Sequence, residues 1–278
     1  MNTDRTIVSR FASVSIRAPS VALLSLFLFI PSVAKAAAQD PKDADYLLHL
    51  PGIGGYRWID KQMVAGLKEG GYEGRLAVHD WPGDDPGLAA LLNRQKNDHE
   101  AQRVAEALTK RYRENPRRRI VVTAHSGGTG IAVWALEKLP DDVKVDTVVL
   151  LASALSPDYD LAPALRHVRG KMYSFNSLTD TLVLGVGTRT FGTVDGVKCD
   201  AAGRCGFCLP DDADAKQYQK LVQVPYTAKW MELGNIGDHI GPMSNRFARD
   251  VLAPVVLGKP IKLATAPTTQ AASAATKE

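Results

Sequence analysis

The chain has 278 residues, of which 45% are hydrophobic and 23% are charged, and these are ordinary values for a globular protein. Its formal net charge is +4, but the first 36 residues hold four basic residues and one acid, so the remainder is close to neutral. This balance argues against a nucleic-acid partner, which would need a broad basic surface.

The segment 1–36 is typical of a secretory signal peptide. Basic residues precede an uncharged apolar run over 21–30, and small residues that suit a signal peptidase follow it. The run is short for a membrane span, which needs about 20 residues. We therefore expect export to the periplasm or the extracellular space, a mature chain that begins near Ala37 or Gln39, and no stable membrane span after cleavage. The alternative is an uncleaved membrane anchor.

Beyond this segment, short apolar strands alternate with amphipathic helices. In chain order, the pattern predicts a strand over 45–50, a helix over roughly 57–69, a strand over 75–79 and a helix over roughly 88–114. A strand over 120–123 is followed in sequence by a helix. Three further strands are predicted over 146–152, 171–176 and 228–233, and a closing helix over roughly 241–253.

This alternation predicts the fold class. It favours an α/β fold with a mostly parallel six-stranded sheet and helices on both faces, as in a three-layer sandwich. The folded domain is expected over 43–260, and the segment 153–170 is too short for a large helical cap. The tail over 263–278 is rich in Ala and Thr and is predicted to be disordered.

The segment 124–128, with the sequence Ala-His-Ser-Gly-Gly, carries the clearest chemical signal. A serine between small residues at a strand-to-helix turn is typical of a nucleophile elbow, although Ala124 replaces the usual glycine. Such a turn would lift the Ser126 hydroxyl above the sheet and direct the following helix N-terminus at an oxyanion. The alternative is a serine that merely caps a helix.

The elbow and the glycine loop over 51–55 together resemble the α/β-hydrolase fold, and the resemblance covers residues 45 to about 257. In that family the nucleophile comes first, then the acid, then the histidine. The matching positions are Ser126 after the third predicted strand, Asp180 after the fifth and His239 after the sixth. The resemblance implies that His239 accepts the serine proton and that the carboxylate orients the imidazole.

Other residues of the site follow from the same resemblance. The backbone N–H groups of Ile53 and Gly127 are expected to hold the oxyanion. Asp158 and Asp160 follow the fourth strand, where some hydrolases carry their acid, so they remain alternatives to Asp180. Asp238 is adjacent to His239 in sequence and is poorly placed to reach its ring.

The remaining histidines are assigned lesser roles. His49 is expected to orient groups beneath the glycine loop, and His125 is expected to point away from Ser126. His79 follows a different strand. His99 and His167 are expected on the surface.

The three cysteines lie close together in a predicted insertion before His239. They are Cys199, Cys205 and Cys208. In an oxidising compartment one disulfide is expected, with the pairing left open, and three thiolates without a histidine make a poor zinc site. The insertion is expected to form one wall of the site.

These features predict an exported serine hydrolase that cleaves carboxylic esters, with lipids or thioesters as further possibilities. The substrate would be a small-molecule or lipid ester, and the mechanism needs no cofactor and no metal. The alternative is a catalytically silent binding or scaffold protein, because fold alone does not dictate function.

Overall fold

Six parallel strands form one open sheet at the centre of the computed structural model, which describes residues 44–261 except 85, 212 and 260. The sheet order is β2-β1-β3-β4-β5-β6. The predicted signal segment and tail lie outside the described residues. The strands are β1 Tyr46–Leu50, β2 Arg75–Val78, β3 Ile120–His125, β4 Val145–Leu151, β5 Val168–Asn176 and β6 Leu221–Pro225.

Helices cover both faces of this sheet, as the sequence predicts. The α-helices are α1 Trp58–Glu69, α2 Leu88–Leu92, α3 Arg94–Glu114, α4 Gly128–Glu137, α5 Ala162–Arg166, α6 Thr188–Phe191, α7 Ala202–Cys205, α8 Ala215–Tyr218, α9 Asn245–Phe247 and α10 Ala253–Val256. The remaining helical turns are 3₁₀ over Ala228–Leu233 and Gly241–Met243, and π over Leu182–Gly187 and Ala248–Leu252.

The central strands are mostly apolar because helices cover both faces of the sheet. Every residue of β1 and β3 is buried. One core lies between the sheet and the layer of α3, α4 and α5. A second core lies between the sheet and the layer of α1, α9 and α10. The predicted three-layer α/β sandwich with a minimal cap is therefore confirmed.

The predicted last strand over 228–233 is wrong, because this segment forms a 3₁₀ helix and β6 lies earlier, at Leu221–Pro225. The apolar residues Trp230 and Leu233 are spaced by three, which a 3₁₀ turn brings to one face, and both pack on the second core. Pro225 is tolerated because it ends an edge strand.

Two predicted helices are interrupted in the structure. The helix over 88–114 is broken at Asn93, whose side chain accepts a hydrogen bond of 3.0 Å from the Lys96 N–H and so caps α3. The closing helix over 241–253 begins with a 3₁₀ turn and contains a π turn before Pro254. Proline cannot donate to the preceding turn, and a π turn accommodates that missing bond.

The insertion between β5 and β6 carries the three cysteines, and all three thiols are free in the structure. The expected disulfide is not present. Within the described ranges, no group of histidine, cysteine and acidic side chains could hold a metal ion. A search of the same residues finds no helix that is both long and apolar enough to cross a membrane.

Candidate active site

A sharp turn at the end of β3 presents the Ser126 side chain. Ser126 has a φ of 52°, a left-handed conformation that is costly for any residue other than glycine. Its N–H donates to the Leu151 carbonyl over 3.0 Å, and its carbonyl accepts the Thr129 hydroxyl over 2.6 Å. A Cβ on Gly128 would collide with the Pro51 carbonyl oxygen. The elbow therefore needs its second glycine because the glycine loop crosses directly over the start of α4.

The structure brings Ser126, His239 and Asp180 into one hydrogen-bonded chain. His239 Nε2 lies 2.9 Å from Ser126 Oγ, and His239 Nδ1 lies 2.7 Å from Asp180 Oδ2. The carboxylate is 3% exposed and the serine 7% exposed. With Nδ1–H donating to the carboxylate, Nε2 is free to accept the serine proton. These three residues come from the ends of β3 and β5 and from the chain beyond β6.

The alternative acids are engaged elsewhere. Asp160 Oδ1 accepts hydrogen bonds of 2.9 Å from the Tyr218 hydroxyl and from the Ala162 N–H at the start of α5. Asp158 faces the cysteine loop, where burial and then a hydrogen bond to Asp158 raise the pKa of the Cys208 thiol.

Asp238, the neighbour of His239 in sequence, caps the following turn. Its Oδ1 accepts the Gly241 N–H over 2.7 Å. Its carboxylate therefore stabilises the loop that carries His239 and leaves Nδ1 of that histidine to Asp180.

The glycine loop after β1 is held close to the elbow by its own carbonyl groups. The Trp81 indole N–H donates to the Pro51 carbonyl over 2.7 Å, and the Gly87 N–H donates to the Ile53 carbonyl over 2.6 Å. Among the described residues, the backbone N–H groups of Ile53 and Gly127 have no hydrogen-bond partner. Two free donors beside Ser126 suit an oxyanion. Sequence reasoning missed the role of Trp81, although the turn over 79–83 is visible in the sequence.

His49 forms part of a buried polar group beneath the glycine loop. Its Nε2 lies 3.0 Å from Asp60 in the first turn of α1, and its Nδ1 lies 3.0 Å from the Thr123 hydroxyl on the neighbouring strand. Burial raises the pKa of the Asp60 carboxyl, but the hydrogen bonds from His49 and from the Arg57 N–H outweigh burial and hold that pKa below its usual value. The carboxylate thus fixes the start of α1, the helix that follows the glycine loop.

One expectation about the histidines, the surface position of His167, is wrong. The His125 ring, which was expected to point away from Ser126, contacts His239: its Nε2 lies 2.9 Å from the backbone carbonyl of His239, and the two rings have centroids 5.0 Å apart. His167 is buried, because its Nδ1 donates to the Val143 carbonyl over 3.0 Å at the edge of the first core. His79 pairs with Glu100 over 2.7 Å, and His99 is exposed on α3.

Burial and the adjacent His239 lower the pKa of His125 to about 3. This ring is therefore neutral at the pH values where a catalytic histidine works. Because His125 stays neutral, an imidazolium that formed at His239 would not be destabilised by a second positive charge beside it.

The loop that carries His239 is also tied to the loop that carries Asp180. The hydroxyls of Ser177 and Thr179 donate to the Gly237 carbonyl over 2.6 Å and 2.8 Å. The Gly237 N–H donates to Asn235 Oδ1 over 3.0 Å. Sequence reasoning missed these contacts. The sequence shows two hydroxyl residues just before Asp180, but nothing in it indicates that they bind Gly237, about 60 positions away.

An apolar cleft of about 90 Å³ opens beside Ser126. One side is formed by Ile53 and by α2, and the other by the π turn and α6 of the insertion. The predicted insertion wall is therefore present, and its residues line the same cleft as Ser126. The apolar side chains that line it are those of Ile53, Leu88, Leu91, Ala154, Val183, Leu184 and Phe191.

No protein-family model matches the chain, and no curated protein matches it. Among solved structures, it is similar to lipase B of Aspergillus fumigatus with 14% identity and a TM-score of 0.47, over 87% of this chain. It is similar to Trichoderma reesei cutinase in complex with a phosphonate inhibitor, with 14% identity and a TM-score of 0.31, over 45% of this chain. A cutinase-like protein from Cryptococcus sp. gives 15% identity and a TM-score of 0.37, over 77% of this chain and 96% of that one.

The chain spans 63% of the length of the lipase and 58% of that of the T. reesei cutinase. The parallel order β2-β1-β3-β4-β5-β6 places a serine elbow after β3, an acid after β5 and a histidine after β6. With this strand order and this succession, the chain has an α/β-hydrolase-like fold.

Proposed function

We propose that this chain is an exported serine hydrolase that cleaves carboxylic esters, including lipid esters or thioesters, through an acyl-enzyme. One observation carries the proposal: Ser126 Oγ and Asp180 Oδ2 lie on opposite nitrogens of the same imidazole, at 2.9 Å and 2.7 Å. This is the arrangement in which a histidine activates a hydroxyl and a carboxylate holds its tautomer.

The chemistry proceeds in two halves. His239 Nε2 takes the Ser126 proton as Oγ attacks the ester carbonyl carbon, and the N–H groups of Ile53 and Gly127 bind the resulting oxyanion. The imidazolium then gives its proton to the departing alcohol, which leaves an acyl-serine. In the second half, water loses a proton to Nε2 and attacks the acyl carbon. The carboxylic acid leaves and Ser126 recovers its proton.

The cleft beside Ser126 supports an apolar acyl group. Its walls come from α2 on one side and from the π turn and α6 on the other, and both contribute aliphatic or aromatic side chains. Leu88, Val183 and Phe191 are exposed enough to meet a substrate that enters from solvent. A short or medium acyl chain fits a cleft of about 90 Å³ better than a long rigid one.

The test is covalent labelling followed by a double-mutant cycle. A fluorophosphonate should label the wild-type protein and fail to label Ser126→Ala. With a short activated ester, Ser126→Ala and His239→Ala should each lower kcat by up to about 10⁶-fold, and the double variant should be hardly worse than either single variant. Independent losses that multiply would mean that the two residues do not share a step.

A Ser126→Ala variant with full turnover would remove the mechanism altogether. A wild-type protein that neither reacts with the probe nor turns over esters would favour the catalytically silent alternative, a binding or scaffold protein. Thermal melts of each variant serve as the folding control.

Substrate choice has its own test. Phe191→Ala enlarges the cleft and should raise the ratio of kcat/KM for a hexanoate ester to that for an acetate ester. The matched control is Val197→Ala, an exposed apolar residue of the same insertion that does not line the cleft. An unchanged ratio in Phe191→Ala would mean that the acyl chain lies elsewhere.

Export is proposed from the composition of segment 1–36. N-terminal sequencing of secreted material should give a chain that begins near Ala37 or Gln39. An intact Met1 on membrane-bound protein would overturn this part of the proposal and leave the hydrolase mechanism untouched.

A further inference from the structure

His125 connects three parts of the site. It is the residue between Ala124 and Ser126 in the elbow, and its side chain is 3% exposed. Its Nε2 lies 2.9 Å from the backbone carbonyl of His239. A Cβ added to Gly52 would lie 3.2 Å from its Nδ1, so the same ring also packs beneath the glycine loop.

The hydrogen bond fixes the protonation of the ring. A carbonyl oxygen only accepts, so Nε2 must carry the hydrogen and Nδ1 must carry the lone pair. Nδ1 is buried and has no hydrogen-bond partner among the described residues. Leaving a buried acceptor unpaired costs free energy, and nearly any apolar side chain would avoid that cost. The bond from Nε2 to His239 is the gain that offsets it.

The backbone around His239 is otherwise held at its two sides. Gly237, upstream, is held by Ser177 and Thr179, and Gly241, downstream, is held by Asp238. Among the described residues, His125 is the residue that makes a hydrogen bond to the backbone of His239 itself. The ring contact at 5.0 Å adds a second restraint on the same residue.

We propose that His125 is a positioning residue for the hydrolase reaction: it holds the His239 backbone and ring at the distance from Ser126 that proton transfer requires. The inference rests on the proposed function. Because His125 adjoins Ser126 in the chain, the bond ties the base directly to the nucleophile. The ring touches no reacting atom, so its effect falls on kcat through geometry.

Three substitutions separate this role from simple packing. His125→Met keeps the volume but removes the donor. His125→Gln has an amide nitrogen that reaches the same carbonyl, whereas His125→Asn is one methylene shorter and does not. With a short activated ester, we expect His125→Met and His125→Asn to lower kcat by about 10- to 100-fold while KM stays within about twofold, and His125→Gln to recover most of the loss.

The matched control is His167→Met. His167 is also buried and also donates to a backbone carbonyl, that of Val143, but it lies away from the site. This variant should lower the melting temperature and leave kcat near that of the wild type. As a measurement independent of turnover, the low-field proton resonance of the His239–Asp180 bond should broaden in His125→Met and persist in His125→Gln.

The outcomes decide between the two proposals. Suppose that Ser126→Ala abolishes turnover, and that His125→Met melts cooperatively and keeps a wild-type kcat. Only the inference about His125 then fails. It fails equally if His167→Met loses as much kcat as His125→Met, or if His125→Gln is no better than His125→Asn. If Ser126→Ala stays active, both proposals fail.

Discussion

The Ser177 hydroxyl donates a hydrogen bond of 2.6 Å to the backbone carbonyl of Gly237. Ser177 lies just before Asp180 in the chain, and Gly237 lies just before His239, so this contact joins the loop of the proposed acid to the loop of the proposed base. The direct bond between Asp180 and His239 therefore has a second connection beside it. Relative motion of the two loops is restrained before any proton moves.

Removal of that connection should weaken catalysis in a non-additive way. Thr179 also donates to the Gly237 carbonyl, so Ser177→Ala or Thr179→Ala alone should lower kcat by less than about threefold, and the double variant by about tenfold or more. The matched control is Ser244→Ala, whose hydroxyl donates to the Leu233 carbonyl over 2.8 Å. Steady-state kinetics with a short ester provide the measurement. Strictly additive small losses would contradict the shared role.

The assignment of the acid can be tested by isosteric amides. Asp180→Asn should lower kcat by about 10⁴-fold, because the amide no longer stabilises the imidazolium or its tautomer. Asp160→Asn should stay near the wild-type rate and lose about 1 kcal/mol of stability through its bonds to Tyr218 and Ala162. An inactive Asp160→Asn beside an active Asp180→Asn would reverse the assignment.

Acid stability should depend on His125. Its pKa falls from a usual value of 6.5 to about 3 on folding, so the unfolded chain binds a proton that the folded chain refuses between these pH values. Above pH 6.5 the ring is neutral in both states, so its titration does not change the free energy of unfolding. Below pH 6.5 the unfolded chain takes up the proton, and the free energy of unfolding falls by about 1.4 kcal/mol per pH unit until the folded ring is also protonated. His239, His49 and Asp60 face the same ring, so the informative quantity is a difference between two proteins.

Urea unfolding of the wild type and of His125→Gln between pH 7 and pH 4 gives that difference. Glutamine does not titrate, so the free energy of unfolding of the variant should fall less steeply as the pH drops. Parallel curves for the two proteins would show that the ring titrates alike in the folded and unfolded states.

The left-handed backbone at Ser126 predicts a stability difference between two inactive proteins. Ser126→Gly relieves the strain at a φ of 52°, whereas Ser126→Ala retains it. Ser126→Gly should therefore exceed Ser126→Ala in unfolding free energy by about 1 kcal/mol, or a few degrees in melting temperature. Equal melting temperatures would mean that the elbow relaxes when the hydroxyl is absent.

Local patterns in the sequence were sufficient for the elbow and the glycine loop. Small residues at fixed spacing after an apolar strand restrict the backbone to few conformations, so Ser126 and the loop over 51–55 are visible without a structure. Asp180 follows from strand order, since the carboxyl ends of parallel strands meet at one edge of the sheet. His239 was placed after a predicted strand that is a 3₁₀ helix, and it still lies beyond β6.

Long-range contacts could not be predicted in this way. The prediction of a strand over 228–233 was wrong because a short apolar run does not by itself distinguish a strand from a helical turn. Packing of Trp230 and Leu233 on the second core selects the 3₁₀ turn, which brings both to one face. The direction of the His125 side chain depends on a tertiary contact. Its partner is a carbonyl 114 residues away, and no sequence pattern records that distance.

The spacing of the three site residues also sets the order in which reactivity can arise. Ser126 lies 113 residues before His239, and Asp180 lies 59 residues before it. A nascent chain that has passed Ser126 carries a hydroxyl without a base, and the base arrives only when the chain beyond β6 closes a long loop onto the sheet. Under the proposed mechanism, a chain that has folded only as far as Ser126 should therefore be inert toward esters, and reactivity should appear only when His239 reaches the sheet.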